Sequence, residues 1–439
     1  MTREEKYELA RWAIRHAIDN GADQASVSIY NNSSSRVEVR EEQIDRLEKA
    51  NRNNMRIQLY VDKKYSSHST NRLTHKEELG KFIAEAIAGT RYLSEDAFRS
   101  LPDPDLYYKG GGPDLKTVDV NFDSVDPQQK IDLAFRTEKE VLGKDERIIS
   151  ITATYSDGKN DTVMVTSNGF EGDSGNTFCS LVASVSVKSG DARPQSYWYE
   201  SDIFHDRLNR EGIGRMALER ALQKIGQQKI ASGTMPMIVE NRLAGNTLNP
   251  LIQALNGSSI HQKNSFLIDM AGEKIGSDLL TIVDDPFIIS GRGSRLFDGE
   301  GLATRKRTII DRGVLKEYYI DTYYGKKLDM APTSGDTTNL VFNPGNKNLE
   351  ELIASLDRGI LVTGFNGGNS NGSTGDFSYG IEGFLIEHGK RVRPVSEMNI
   401  TGNFKQVWKD LVAVGNDMYT QSSWRTPSLV FDNIQFSGL

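Results

Sequence analysis

The chain has 439 residues, 37% hydrophobic and 26% charged, which suits a globular protein of roughly two or three domains. Its formal net charge of −7 argues against a general attraction to nucleic acid, and its single Cys excludes an internal disulfide framework and fits a reducing cytoplasm. No apolar run approaches the ~20 residues of a membrane helix, and 40 Gly beside 12 Pro favour turns and strands over a helical bundle.

Thr2 and Glu5 make a capping-box pattern, Leu9, Ala13 and Ala17 share a face, and Gly21 offers a stop, so a helix is predicted over 3–20. This charged start, MTREEKYELARW, holds no signal-peptide apolar core. Apolar alternation at Ala25–Ile29, at Val37 and Val39, and at Met55–Val61 predicts strands. A second capping box, Thr74 with Glu77, precedes a helix carrying Leu79, Ile83 and Ile87. Residues 99–119 hold Pro, Asp and three consecutive Gly and read as a connector. Asp126-Pro127 opens a third helix. Strand-like runs at Ile148–Tyr155 and Thr162–Thr166 flank a predicted turn at Ser156-Asp157-Gly158. A long alternating strand over Cys179–Val187 and a helix over Ile213–Ile225 close this half. Helix, strands, helix, then the same again suggests an internal duplication.

From Thr234 to Leu255 the pattern changes from a short buried strand, Met237–Val239, to helical spacing from Leu248 onward. Asn241, Arg242 and Asn246 sit at this strand-to-helix junction, where side chains are held on a rigid scaffold. Glu240 is the only carboxylate close by, and no His or Cys accompanies it. Strands are then predicted at Leu279–Val283, Val314–Ile320, Leu340–Phe342, Ile360–Thr363, Gly380–Ile386 and Leu429–Phe436. Helices are predicted at Asn348–Leu356 and Phe404–Val412, and a hairpin turn at Glu387–Lys390. Gly364–Gly375 is too long and polar for a simple hairpin turn, so it is mobile or lies against a ligand or another chain. The expected fold class is α+β, with an N-terminal α/β domain over 1–228 and a C-terminal domain rich in antiparallel strands over 229–439.

Other candidate sites favour structural readings. The 364–375 loop matches no phosphate-loop or dinucleotide fingerprint. Asp284, Asp285, Asp298 and Glu300 surround the Gly-rich SGRGS segment without calcium-loop spacing, which suits turn chemistry. His16, His68, His75, His205, His261 and His388 show no helical ligand spacing. Cys179 lies in an alternating strand and reads as packed. Tyr197-Trp198-Tyr199 fits stacking on a base, gripping a peptide, or packing.

The second half resembles the TldD/PmbA family, and in particular its PmbA/TldE branch, which carries the older label modulator of DNA gyrase. The resemblance rests on NGSSIHQKNSF at 256–266, LLTIVDDP at 279–286, GSRLFDGEG at 293–301, NGSTGDFSYGIEGFLIEHGK at 371–390, VGNDM at 414–418 and the tail PSLVFDNIQFSG. It implies a cytoplasmic metalloprotease that processes unfolded peptides. In that family the TldD-type subunit carries a His-Glu-x-x-x-His motif and a later Cys ligand. The motif falls here on Asn241-Arg242-Leu243-Ala244-Gly245-Asn246, and MYTQSSWRTPS after Asp417 has no Cys. An Asn amide is a poor zinc ligand, and Arg cannot serve as a carboxylate base. Residues i and i+5 also diverge by about 140° on an ideal helix, so joining them at one metal needs a local distortion. The resemblance therefore implies a subunit with no cofactor of its own, zinc in a TldD-type partner, and an extended peptide substrate. A homodimer is expected when the chain is isolated, and the net charge and the lack of a long apolar run lead to no expected nucleic-acid or membrane partner. The alternatives are a self-sufficient peptidase with relocated ligands and a non-enzymatic regulatory binding protein.

Overall fold

A computed structural model describes residues 1–439. The first half runs α1 (Arg3–Asp19), β1 (Gln24–Arg40), β2 (Gln43–Val61), β3 (Lys64–Thr70), α2 (Lys76–Thr90), α3 (Pro127–Lys139), β4 (Ile148–Thr166), β5 (Glu171–Val187), β6 (Gln195–Asp202) and α4 (Ile213–Leu222). Its strands form one antiparallel sheet in the order β3-β2-β1-β4-β5-β6. The α-βββ-α order thus occurs twice, and the two sets meet at the β1–β4 pair. Thr2 and Glu5 form the predicted capping box. The second box does not form: α2 starts at Lys76, and its N-cap His75 makes no side-chain bond.

Helices α1 and α2 cover one apolar cluster with Val27, Ile29 and Ile57, whereas α3 and α4 cover a separate one with Val37, Val39 and Leu181. Between the clusters the sheet is polar. Asn31 Nδ2 donates to Asn53 Oδ1 at 2.7 Å and to Asn51 Oδ1 at 3.0 Å. This polar middle interrupts the apolar alternation, so β1 reads as two short runs in the sequence. It is one strand of 17 residues. The expected turn at Ser156-Asp157-Gly158 is likewise absent. Gly158 pairs with Ser34 on one side and Phe178 on the other, and continuous ladders on both sides keep β4 extended.

The connector over 99–119 is tied to the second half, where Tyr108 N donates to Gly301 O and Ala303 N to Leu106 O, both at 3.0 Å. That half runs β7 (Gly233–Val239), α5 (Asn241–Ala254), α6 (Gly257–His261), β8 (Ile282–Asp284), β9 (Arg307–Asp311), β10 (Val314–Leu315), α7 (Thr322–Leu328), β11 (Leu340–Phe342) and α8 (Leu349–Ala354). It ends with β12 (Arg358–Ser370), β13 (Asp376–Glu387), β14 (Lys390–Asn403), α9 (Phe404–Val407), β15 (Leu411–Val414), β16 (Trp424–Arg425) and β17 (Leu429–Ser437). One sheet has the order β14-β13-β12-β7-β17-β15, and β14 also bonds β17, so five of its strands close into a ring. A smaller sheet, β10-β9-β8-β11-β16, shares its core. No helix is long and apolar enough to cross a membrane.

Several bounds differ from expectation. The 314–320 strand shrinks to Val314–Leu315, the 279–283 strand begins at Ile282, and α9 is a single turn. Most of Gly364–Gly375 is not a loop: β12 continues to Ser370, leaving a short turn before β13. Bulges between Val362 and Gly364 and between Phe365 and Gly368 absorb the irregular sequence. Gly368 has φ +124°, and a Cβ there would lie 2.2 Å from the Ser378 carbonyl oxygen.

Candidate functional site

Strand β7 is held between parallel β12 and antiparallel β17, with Ile238 opposite Leu361 and Val430. Ladders on both sides, with apolar side chains at Met237, Ile238 and Val239, fix its end, and α5 starts two residues later, at Asn241. The helix thus begins earlier than its apolar spacing indicated. Its first turn carries Asn241 and Arg242, and Asn246 projects from the second.

Asn241 is committed to the 417–428 segment. Its Nδ2 donates to Asp417 O at 2.6 Å, its N–H to Ser428 Oγ at 3.2 Å, and its carbonyl accepts from Thr426 Oγ1 at 2.9 Å. Arg242 reaches across to β6. Its Nη2 donates to Glu200 Oε1 at 3.2 Å and its Nη1 to Tyr199 O at 3.1 Å. The guanidinium carbon lies 3.6 Å from the Trp198 ring centroid and 4.9 Å from that of Tyr419. Trp198 Nε1 donates to the same Glu200 oxygen at 2.9 Å, and Gln421 bonds the other. The acid paired with Arg242 is thus Glu200. Glu240 is engaged elsewhere, accepting from both Nη atoms of Arg220 at 2.8 and 2.6 Å. Asn246 is exposed and makes no intramolecular side-chain bond.

Two clefts meet at these residues. One, of about 850 Å³, is lined by Asn249, Phe404 and Trp424; the other, of about 890 Å³, by Tyr197, Lys224 and Glu382. Tyr199, Arg242, Asn246 and Phe365 border both, so the junction forms a ridge between them. Strand β6 is the sheet edge beside this ridge. Pro194 O accepts from Val187 N, so even-numbered positions face β5. Odd-numbered ones face out: Gln195 O takes Lys224 Nζ at 2.8 Å, and Tyr199 O takes Arg242. Tyr197 lies between them with its backbone groups turned outward and its side chain exposed.

The other candidates serve the fold. Asp284 is buried and paired with Arg307, and it accepts from Thr338 N at 2.9 Å. Asp285 pairs with Lys306 at 2.8 Å. Asp298 accepts from Glu300 N and Leu302 N within its own turn. Glu300 accepts from Thr322 N at 2.9 Å, and burial pushes its carboxyl up to about 7. Cys179 is buried, and that burial pushes its thiol up to about 12. No three or more His, Cys, Asp and Glu side chains converge where a metal could bind. A zinc ion does not fit the junction either. The Asn241 amide is donated to a carbonyl, and Arg242 places a cation where a ligand set would need negative or neutral donors. Of the aromatic run in the sequence, Trp198 and Tyr199 join the site. Glu200, Tyr419 and Gln421 carry no local sequence signal for the site, because the contacts that bring them to it, Glu200 with Arg242, Tyr419 with Tyr199 and Gln421 with Glu200, span 42 to 221 residues.

Comparison with known proteins defines the class first. The PmbA/TldA metallopeptidase C-terminal domain matches residues 232–438, and the central domain of the same metallopeptidases matches 120–225. The chain belongs to the PmbA/TldD family. It is 29% identical to the metalloprotease PmbA homolog of Haemophilus influenzae, covering 99% of this chain and 96% of that one. It is 28% identical to metalloprotease PmbA of Escherichia coli O157:H7, covering 95% and 93%. Among solved structures, a Bacteroides thetaiotaomicron protein named for modulation of DNA gyrase is 50% identical over all of both chains, with a TM-score of 0.98. TldE from Thermococcus kodakarensis shares the fold, with a TM-score of 0.87 at 21% identity over 98% of this chain and all of that one.

Proposed function

We propose that this chain is the PmbA/TldE-type subunit of a cytoplasmic metalloprotease that processes unfolded peptides, and that the metal belongs to a TldD-type partner. The observation that carries this reading is the bonding at the three motif positions. Asn241 is spent on Asp417, Arg242 on Glu200, and Asn246 stands alone on the ridge. Relatives named metalloprotease PmbA, and a TldD homolog of Buchnera aphidicola at 25% identity over 69% of this chain, support the protease reading. The isolated chain is expected to form a homodimer, which a TldD-type chain replaces in the active pair.

Its own contribution is to hold the peptide. The Tyr197 N–H and C=O would pair with an extended backbone, and successive side chains of that peptide would point alternately to the two faces of the added strand. Lys224 and Arg242 bound this segment by capping the carbonyls on either side of it.

The test is metal content by plasma mass spectrometry together with cleavage of an unfolded peptide, for the chain alone and with a TldD-type partner. The expected result is background zinc and no cleavage alone, with cleavage appearing in the mixture. About one zinc per chain surviving dialysis, with cleavage by the isolated chain, would overturn the reading and favour relocated ligands.

A further inference from the structure

The two clefts that meet at the ridge differ in charge. The one beside Lys224 carries three ion pairs, Arg220–Glu240, Lys224–Glu382 and Arg391–Glu350. The other has Arg242 as its only charged wall residue, and that cation is held by Glu200. A charged group buried there would find no counter-ion, whereas an apolar group meets no such cost. Its volume of about 850 Å³ is that of a ligand site.

One wall of this neutral cleft is aromatic. The Tyr379 ring centroid lies 5.9 Å from that of Phe365, 5.5 Å from Phe377 and 6.4 Å from Phe404. Phe377 and Phe404 are buried, whereas Phe365 and Tyr379 are half-buried and leave the cluster open on the cleft side. The bulge between Phe365 and Gly368 re-aims this stretch, and Tyr379 packs on Gly368, where a Cβ would come 2.7 Å from its ring. A second wall is a row of amides on α5. Asn246, Asn249 and Gln253 are spaced i, i+3 and i+7, so they share one helix face. All three are exposed, and none of their side chains bonds another residue. Pro250, on the same wall, has no N–H to give the Asn246 carbonyl four residues before it. The row is about 10 Å long, the reach of roughly three residues of extended chain. Each amide offers both a donor and an acceptor, so such a row can pair with the backbone of any sequence.

We infer that this cleft is a specificity slot: it takes an apolar, preferably aromatic, side chain of an extended peptide, while the α5 amides hold the backbone beside it. This rests on the peptide-holding reading above and names the side chain that reading leaves open. Tyr199 connects the two, because it stands on this wall and lies two residues along β6 from Tyr197. Phe365 and Tyr379 set the preference. A ring that enters beside them completes an aromatic cluster whose members already meet edge-to-face and stacked, at 70° and 22°. Folded proteins bury most of their Phe and unfolded chains expose it, so the slot would tell an unfolded peptide from a folded surface.

Fluorescence anisotropy tests it with short labelled Gly/Ser peptides that carry Phe, Ala, Lys or Glu at the centre, on the full chain alone and paired with a TldD-type chain. The Phe peptide should bind at least tenfold tighter than the Ala peptide, and the Lys and Glu peptides more weakly than Ala. Phe365→Ala combined with Tyr379→Ala should bring the Phe peptide to within about threefold of Ala. Asn249→Asp adds a carboxylate at an exposed helix position and should make the Lys peptide bind at least fivefold tighter than the Glu peptide, a gain that misfolding cannot produce. Equal binding of all four peptides overturns the slot and leaves the peptide-holding reading standing. Binding of none overturns both, as when a second copy or the partner fills the cleft. A Phe preference that survives the double aromatic variant also overturns the slot. Should that variant fail to fold, Asn249→Asp decides, and an unchanged ratio of Lys to Glu binding overturns it.

Discussion

Arg242 shows how much one residue's surroundings constrain it. Its cation is anchored by Glu200 and two aromatic rings. Both charged groups are largely buried, with side-chain exposures of 16% and 11%. Arg242→Met should therefore leave Glu200 without its partner and lower stability by on the order of 2 kcal/mol in urea titrations, with Glu200→Gln recovering part of the loss. Glu300 gives a pH-dependent counterpart. Burial, with Asp298 and Asp321 adding to it, raises its carboxyl from 4.5 to about 7. The folded state then binds more protons than the unfolded one between those values, so stability should fall as pH rises through that window. Glu300→Gln keeps an acceptor for Thr322 and should flatten the slope, gaining on the order of 2 kcal/mol at pH 8 by thermal melts across pH. The positions of Asn241, Arg242 and Asn246 were legible from the sequence because the family motif fixes their spacing. The partners of Arg242 were not, because they belong to an edge strand and a late loop that only the fold brings together.

At the level of elements, local signals were reliable where a short-range interaction decides the structure. Thr2 with Glu5, Asp126 with Pro127, and the hairpin turn before Lys390 all behave as read. They failed where distant pairing decides. Strands β1 and β4 pass through residues that look like breaks because both flanks of each are hydrogen-bonded. The Gly/Asn-rich end of β12 is a further case. It reads as a loop, yet it pairs with β13 through bulges that depend on Gly368. Gly368→Val should be strained both by its positive φ and by contact with the Ser378 carbonyl. A loss of roughly 2 kcal/mol is expected by chemical denaturation.

On the scale of the whole molecule, the two halves divide the work. The first supplies an edge strand and its aromatic residues, the second supplies the strand-to-helix junction, and the clefts lie where they meet. On the proposed reading, substitutions at the junction should therefore change peptide handling without altering a metal site. Asn246→Arg, which fills the ridge with a long cation, should reduce cleavage by the mixed pair at least tenfold without a change in the partner's zinc content. The first half has a further property. Its two apolar clusters are separated by a polar band, yet β1 and β4 run unbroken from one to the other. Neither cluster can open alone without tearing strands that the other holds. Amide protons at Asn31–Ser33, far from any apolar side chain of note, should thus exchange with deuterium as slowly as those at Val27 and Val39, because all three groups are released by the same rare event.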